Sequence, residues 1–75
     1  MRLVDLEPRW VKRDDLRGVS FICPDHGNHR LAIWFGIQWT ASGHAFETLT
    51  ISPSIDARPA GCGHFNVING DIVPA

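Results

Sequence analysis

The sequence predicts a small all-β fold: a single domain, residues 1–75, in which short antiparallel hairpins are tied together by one internal cross-link. Three observations lead there. Apolar and polar residues alternate over short runs punctuated by Gly and Pro, and no segment carries the 3.6-residue period of an amphipathic helix. With 75 residues, the chain buries only about 60% of its unfolded surface, so its core needs a staple. The only two cysteines each have a histidine close behind, in Cys23-Pro24-Asp25-His26-Gly27 and Gly61-Cys62-Gly63-His64.

Taken in order, Leu3, Val4 and Leu6 read as a short strand stopped by Pro8. Residues 9–13 interleave Trp10 and Val11 with Arg9, Lys12 and Arg13. Asp14 and Asp15 follow at once and cancel the field, so the segment reads as a solvated edge with Trp10 folded onto the core. Residues 18–23 form a strand with Val19, Phe21 and Cys23 on one face and Ser20 and Ile22 on the other. Residues 29–36, rich in Ile, Trp and Phe, form its hairpin partner across the Cys23–Gly27 turn. A turn-rich connection around Ser42-Gly43 fills 37–45, with His44 just past it.

Phe46–Ser52 alternates cleanly and reads as a strand that Pro53 ends. Residues 56–61 are a loop. Residues 64–68 and 71–73 flank Asn69-Gly70, the dipeptide that suits a two-residue hairpin turn because both central positions need positive φ. The count is about five or six short strands.

The cross-link expected from these residues is a metal ion. Zinc takes thiolate and imidazole in a closed tetrahedron, and Cys2His2 is a common structural set. Cys23 and His26 are spaced to share one tight turn, preset by Pro24 and relaxed by Gly27. Gly61 and Gly63 give Cys62 and His64 the freedom of a short chelate loop. The expected ligands are therefore Cys23, His26, Cys62 and His64, with His29 as the alternative to His26. A structural zinc supplies an apparent ~10–16 kcal/mol to small domains. A disulfide between Cys23 and Cys62, or two plain buried thiols, are the competing readings.

The runs Phe21-Ile22-Cys23-Pro24 with His26-Gly27, Phe46-Glu47-Thr48-Leu49-Thr50-Ile51-Ser52-Pro53-Ser54-Ile55, and Cys62 with His64-Phe65 before Asn69-Gly70-Asp71-Ile72 resemble a family of small uncharacterised proteins of phages, prophages and some bacterial operons. The similarity spans most of the chain, from Leu16 to Val73. Members often carry cysteines in the first half-site where this chain has His26, which leaves the second ligand open between His26 and His29. The resemblance implies a phage-related setting and a zinc site. Some members bear an ammonia monooxygenase label, a name belonging to a multi-subunit membrane complex, whereas this chain has no apolar run of about 18 residues.

Charge and composition narrow the functions. The net charge of −1 lacks the basic excess that drives phosphate binding. A nucleic-acid contact through Arg9, Trp10, Lys12, Arg13 and Arg30 is therefore disfavoured. The start of the chain lacks a signal-peptide core, so the expected compartment is a bacterial cytoplasm. Between Leu31 and Ile55 the only charged residue is Glu47. The function expected is a zinc-stabilised module that binds another protein, through the Phe46–Ser52 strand and the Ser52-Pro53-Ser54 turn. The alternative is a small zinc hydrolase or deaminase using an open metal position, with His44 and Glu47 as acid and base. Oligomeric state stays open.

Overall fold

The computed structural model describes all residues from Met1 to Ala75. Strands β1 (Arg9–Arg13), β2 (Leu16–Ile22) and β3 (Arg30–Phe35) form one antiparallel sheet in the order β1-β2-β3. Strands β4 (Thr40–Ser42), β5 (Thr50–Asp56), β6 (His64–Ile68) and β7 (Asp71–Pro74) form a second, in the order β4-β5-β6-β7. Within each sheet every strand pairs with its neighbour in the chain, so both sheets are meanders. The all-β, antiparallel class expected from the alternation is the class observed, with seven strands and two sheets rather than one.

Alternation explains where the core lies. Val19 and Phe21 of β2 are fully buried, and Ile33 of β3 joins them. From the other sheet come Ile51, Ile55, Phe65 and Val67, with Leu49 just before β5. Phe21 meets Phe65 edge to face, with centroids 6.1 Å apart, which joins the two sheets at their centre. Cys23 follows Phe21 on the same inward side, as the pattern predicts, and is 2% exposed.

Four local expectations need correction. Leu3–Leu6 is a single 3-10 turn, not a strand; it buries Leu3 and Leu6 one turn apart on one side, which a strand cannot do. Residues 40–42, expected to be loop, add β4 to the edge of the second sheet. The strand expected at Phe46–Ser52 begins only at Thr50 and runs through Pro53 to Asp56. Pro53 sits where the β5–β6 register shifts between Ile51 and Ile55, a place where its missing N–H breaks no ladder bond. Its peptide bond with Ser52 is cis. Residues 58–60 form a further short 3-10 turn within the expected loop.

The Asn69-Gly70 turn is as expected, with φ of 48° and 80°. Gly70 is required twice over, because a Cβ there would also collide with the Glu47 carbonyl. Arg2 reinforces this corner, donating from Nη1 to Asp71 Oδ1 and from Nη2 to the Glu47 carbonyl, both at 2.8 Å.

Candidate functional site

Two side-chain constellations sit on either side of Cys62-Gly63-His64. The first is the cysteine–histidine group. The β2–β3 connection folds back so that the Cys23 N–H donates to the His29 carbonyl at 2.8 Å and the Gly27 N–H to the Cys23 carbonyl at 3.2 Å. Gly27, at φ 71°, supplies the left-handed step that this knuckle needs. Opposite it, the Cys62 N–H donates to the Ala57 carbonyl at 2.9 Å, which fixes Cys62 over the Arg58–Ala60 turn.

Donor atoms of Cys23, His26, His29 and Cys62 all lie within 4.8 Å of one another. His29 Nε2 is 3.1 Å and His26 Nε2 3.6 Å from Cys62 Sγ. A tetrahedral zinc with ordinary bond lengths sets nitrogen and sulfur about 3.6 Å apart, so these separations suit a shared metal. Both sulfurs are buried and both rings are exposed.

Two expectations change here. Cys23 and Cys62 are joined as a disulfide rather than standing as two thiolates. Their Cα atoms are 5.8 Å apart, inside the span that a disulfide bridges, so one backbone frame serves either cross-link. Of the expected ligands, Cys23, His26 and Cys62 come together with the alternative, His29, while His64 lies outside the group. The Asn28 N–H donates to His26 Nδ1 at 3.0 Å. A metal at Nε2 would place the ring proton on Nδ1 and so displace that contact.

The second constellation contains His64. Gly63, at φ 80°, turns the chain between Cys62 and His64 and sends the imidazole toward β5. There His64 Nε2 lies 2.8 Å from Ser54 Oγ, and both residues are half-buried. Ile55 is buried, so strand alternation puts its neighbours Ser54 and Asp56 on the opposite face. Asp56 stands directly across from His64 in the β5–β6 pairing. The Ser54 carbonyl accepts a long bond of 3.4 Å from the Trp39 indole N–H.

Asp56 is held well below the usual carboxylate range. The first cause is the Arg58 side chain, whose Nε and Nη2 donate at 2.8 and 2.7 Å. The Arg58 backbone N–H and the charges of Arg58 and His64 act in the same direction. Asp56 is therefore a fixed anion facing His64 at neutral pH. A shallow groove of ≈ 370 Å³ opens beside His64, between Pro24 and Asp25 of the knuckle and Ile72 and Pro74 of β7.

Sequence reasoning did not single out Ser54 as a reactive group. Its pairing with His64, ten positions away, depends on the register break at Pro53. The only signal was compositional, a serine locked between Pro53 and Ile55 on a strand that the His64 strand must pair. His44 and Glu47, the acid and base of the alternative hydrolase, lie outside the Cys23–His26–His29–Cys62 group; His44 borders a different cleft.

No curated protein and no solved structure matches the chain. A protein-family match covers residues 3–75, and its description is "Bacterial ubiquitination-like system serine protease (BubE)". That description is of a bacterial system, and the phage setting implied by the resemblance finds no support in it. With the match running almost from end to end, the chain belongs to the BubE family.

Proposed function

We propose that this protein is a serine peptidase acting on a protein substrate of a bacterial ubiquitination-like system, with Ser54 as nucleophile and His64 as its base. The observation that carries this reading is the 2.8 Å contact between Ser54 Oγ and His64 Nε2, in a chain whose family is described as serine proteases. A serine hydroxyl is a weak nucleophile until an adjacent base takes its proton, and a direct Oγ–Nε2 contact meets that need.

In the tautomer with the proton on Nδ1, the Ser54 hydroxyl donates to Nε2. As Oγ attacks the substrate carbonyl, the proton passes to His64. The imidazolium so formed faces the ionised Asp56, whose charge stabilises it. His64 then returns the proton to the leaving amine, and the acyl group remains on Ser54. Water repeats the cycle to release the acid. Asp56 has its carboxylate bound by Arg58, so it acts by charge across the strand pair rather than as the hydrogen-bonded third member of a triad. The groove beside His64 offers room for the residues that flank the scissile bond.

The cysteine–histidine group serves this site as a fastener. Cys62 is two residues from His64, and its bond to the 23–29 knuckle holds that segment in place. Reduced, the group fits zinc as a closed Cys2His2 site of Cys23, His26, His29 and Cys62, supported by the convergent donors. A closed structural zinc has no open position for water, so the metal takes no part in hydrolysis. The same donor set bears on the binding-module and zinc-hydrolase readings. The serine–histidine contact supports a peptidase over either, because a pure binding surface has no use for an aligned nucleophile and base.

The test is hydrolysis of a fusion between the system's modifier protein and a reporter. Ser54→Ala and His64→Ala should each lower turnover by about 10⁴-fold or more, with folding intact. Turnover that survives Ser54→Ala overturns the assignment.

A further inference from the structure

We infer that the cleft between the two sheets is a docking site for an acidic, partly apolar peptide segment of the protein substrate. The cleft encloses ≈ 570 Å³ and is distinct from the groove at His64. Half of its ten lining residues are hydrophobic, among them Trp10, Phe35 and Leu49. Its two charged lining residues, Lys12 and Arg17, are both cationic, and His44 lines the side of the second sheet.

Lys12 and Arg17 are directly opposed across β1 and β2. Like charges facing each other across an antiparallel pair are destabilising. Neither is joined to an acid in an ion pair, for the ion pairs of the protein join Arg2 to Asp71 and Arg58 to Asp56. Two cations outside any ion pair at the mouth of an aromatic-lined cleft favour an anionic side chain there. Trp10, half exposed at 49%, stacks on Phe46 at 4.5 Å and stiffens one wall.

Position connects the cleft to the chemistry. Ala41, Gly43 and His44 line the cleft, and Ala41 belongs to β4, which begins just after Trp39, the residue whose indole touches the Ser54 carbonyl. A substrate chain following edge strand β4 would thus lead from the cleft to the nucleophile. A peptide is favoured over a nucleic acid because two opposed cations on a chain of net charge −1 give no track for successive phosphates, whereas an apolar lining with a cationic rim suits alternating acidic and apolar side chains.

Naming the segment as the substrate's rests on the peptidase reading; the binding itself does not. The experiment is therefore run on the Ser54→Ala protein, by two-dimensional NMR with a short peptide alternating Glu and Leu. The Val11, Gly18 and Gly43 amides should shift, and the shifts should fade with added salt. The Lys12→Gln/Arg17→Gln protein, altered only at exposed positions, should bind about tenfold more weakly. The proposal is overturned if the Glu peptide leaves these amides unmoved, if a Lys-for-Glu peptide moves them equally, if the double variant binds unchanged, or if a single-stranded oligonucleotide moves them at lower concentration. Binding with no hydrolysis by the wild type would leave the cleft standing and remove the peptidase; hydrolysis with no binding would do the reverse.

Discussion

Breaking the cross-link between the two half-sites should nearly unfold this protein. The perturbation is reductant together with a metal chelator, which severs a disulfide or a metal bridge without any substitution in the chain. Cys23 and Cys62 are 39 positions apart. Closing a loop of that size in the unfolded chain corresponds to about 4 kcal/mol of stabilisation on the chain-entropy relation. A chain of 75 residues has roughly 4–11 kcal/mol in total, so a large part of it depends on this one link. Urea unfolding followed by tryptophan fluorescence reads the change directly. With an m-value of about 1 kcal/mol/M, the midpoint should fall by ~4 M. Reductant alone should suffice if the bridge is the disulfide, and chelator should be needed as well if metal replaces it. A midpoint that moves by less than ~0.5 M under both agents would refute the role given to Cys62 as the anchor of the His64 segment.

Other consequences follow from the same geometry. Reduced protein titrated with cobalt should take up one ion per chain with thiolate charge-transfer absorption; His29→Ala should weaken uptake at least tenfold while His64→Ala leaves it unchanged, and the opposite pattern would restore His64 as the fourth ligand. Asp56 has a depressed folded value, so its ion pair with Arg58 contributes fully above the ordinary Asp range near ~4 and is lost only as pH falls through the lower folded value. The Asp56 carboxyl carbon, followed by NMR, should titrate below the ordinary aspartate range, and Arg58→Gln should return it there. Phe21→Ala removes the ring that joins the sheets and should cost about 3–5 kcal/mol in urea unfolding.

Much of the scaffold was legible because it rests on local rules. Val19, Phe21 and Cys23 share an inward face by strand period alone, and Asn69-Gly70 specifies its own turn. The Cys23–Gly27 knuckle was visible for the same reason, since proline and glycine bracket its donors. What escaped depends on long-range register. Cys62 and His64, spaced by two, look like neighbours on one strand face; β6 begins only at His64, and the left-handed Gly63 sends the two side chains to different partners. Ser54 was hidden because Pro53 reads as the end of a strand. A bulge-like shift in the β5–β6 ladder keeps the strand going, and that shift brings Ser54 to His64. Leu3 and Leu6 were misplaced for want of length: four residues show no period that separates a strand from one turn of 3-10 helix.

The most direct test of the nucleophile is covalent labelling. A fluorophosphonate probe reacts with an activated serine by forming a P–O bond as fluoride leaves, and intact-mass spectrometry counts the adducts. One adduct per wild-type chain, mapped to Ser54, slowed at least a hundredfold in His64→Ala and absent in Ser54→Ala, is the expected outcome. A folded protein that takes no label, or that labels as fast without His64, contradicts it.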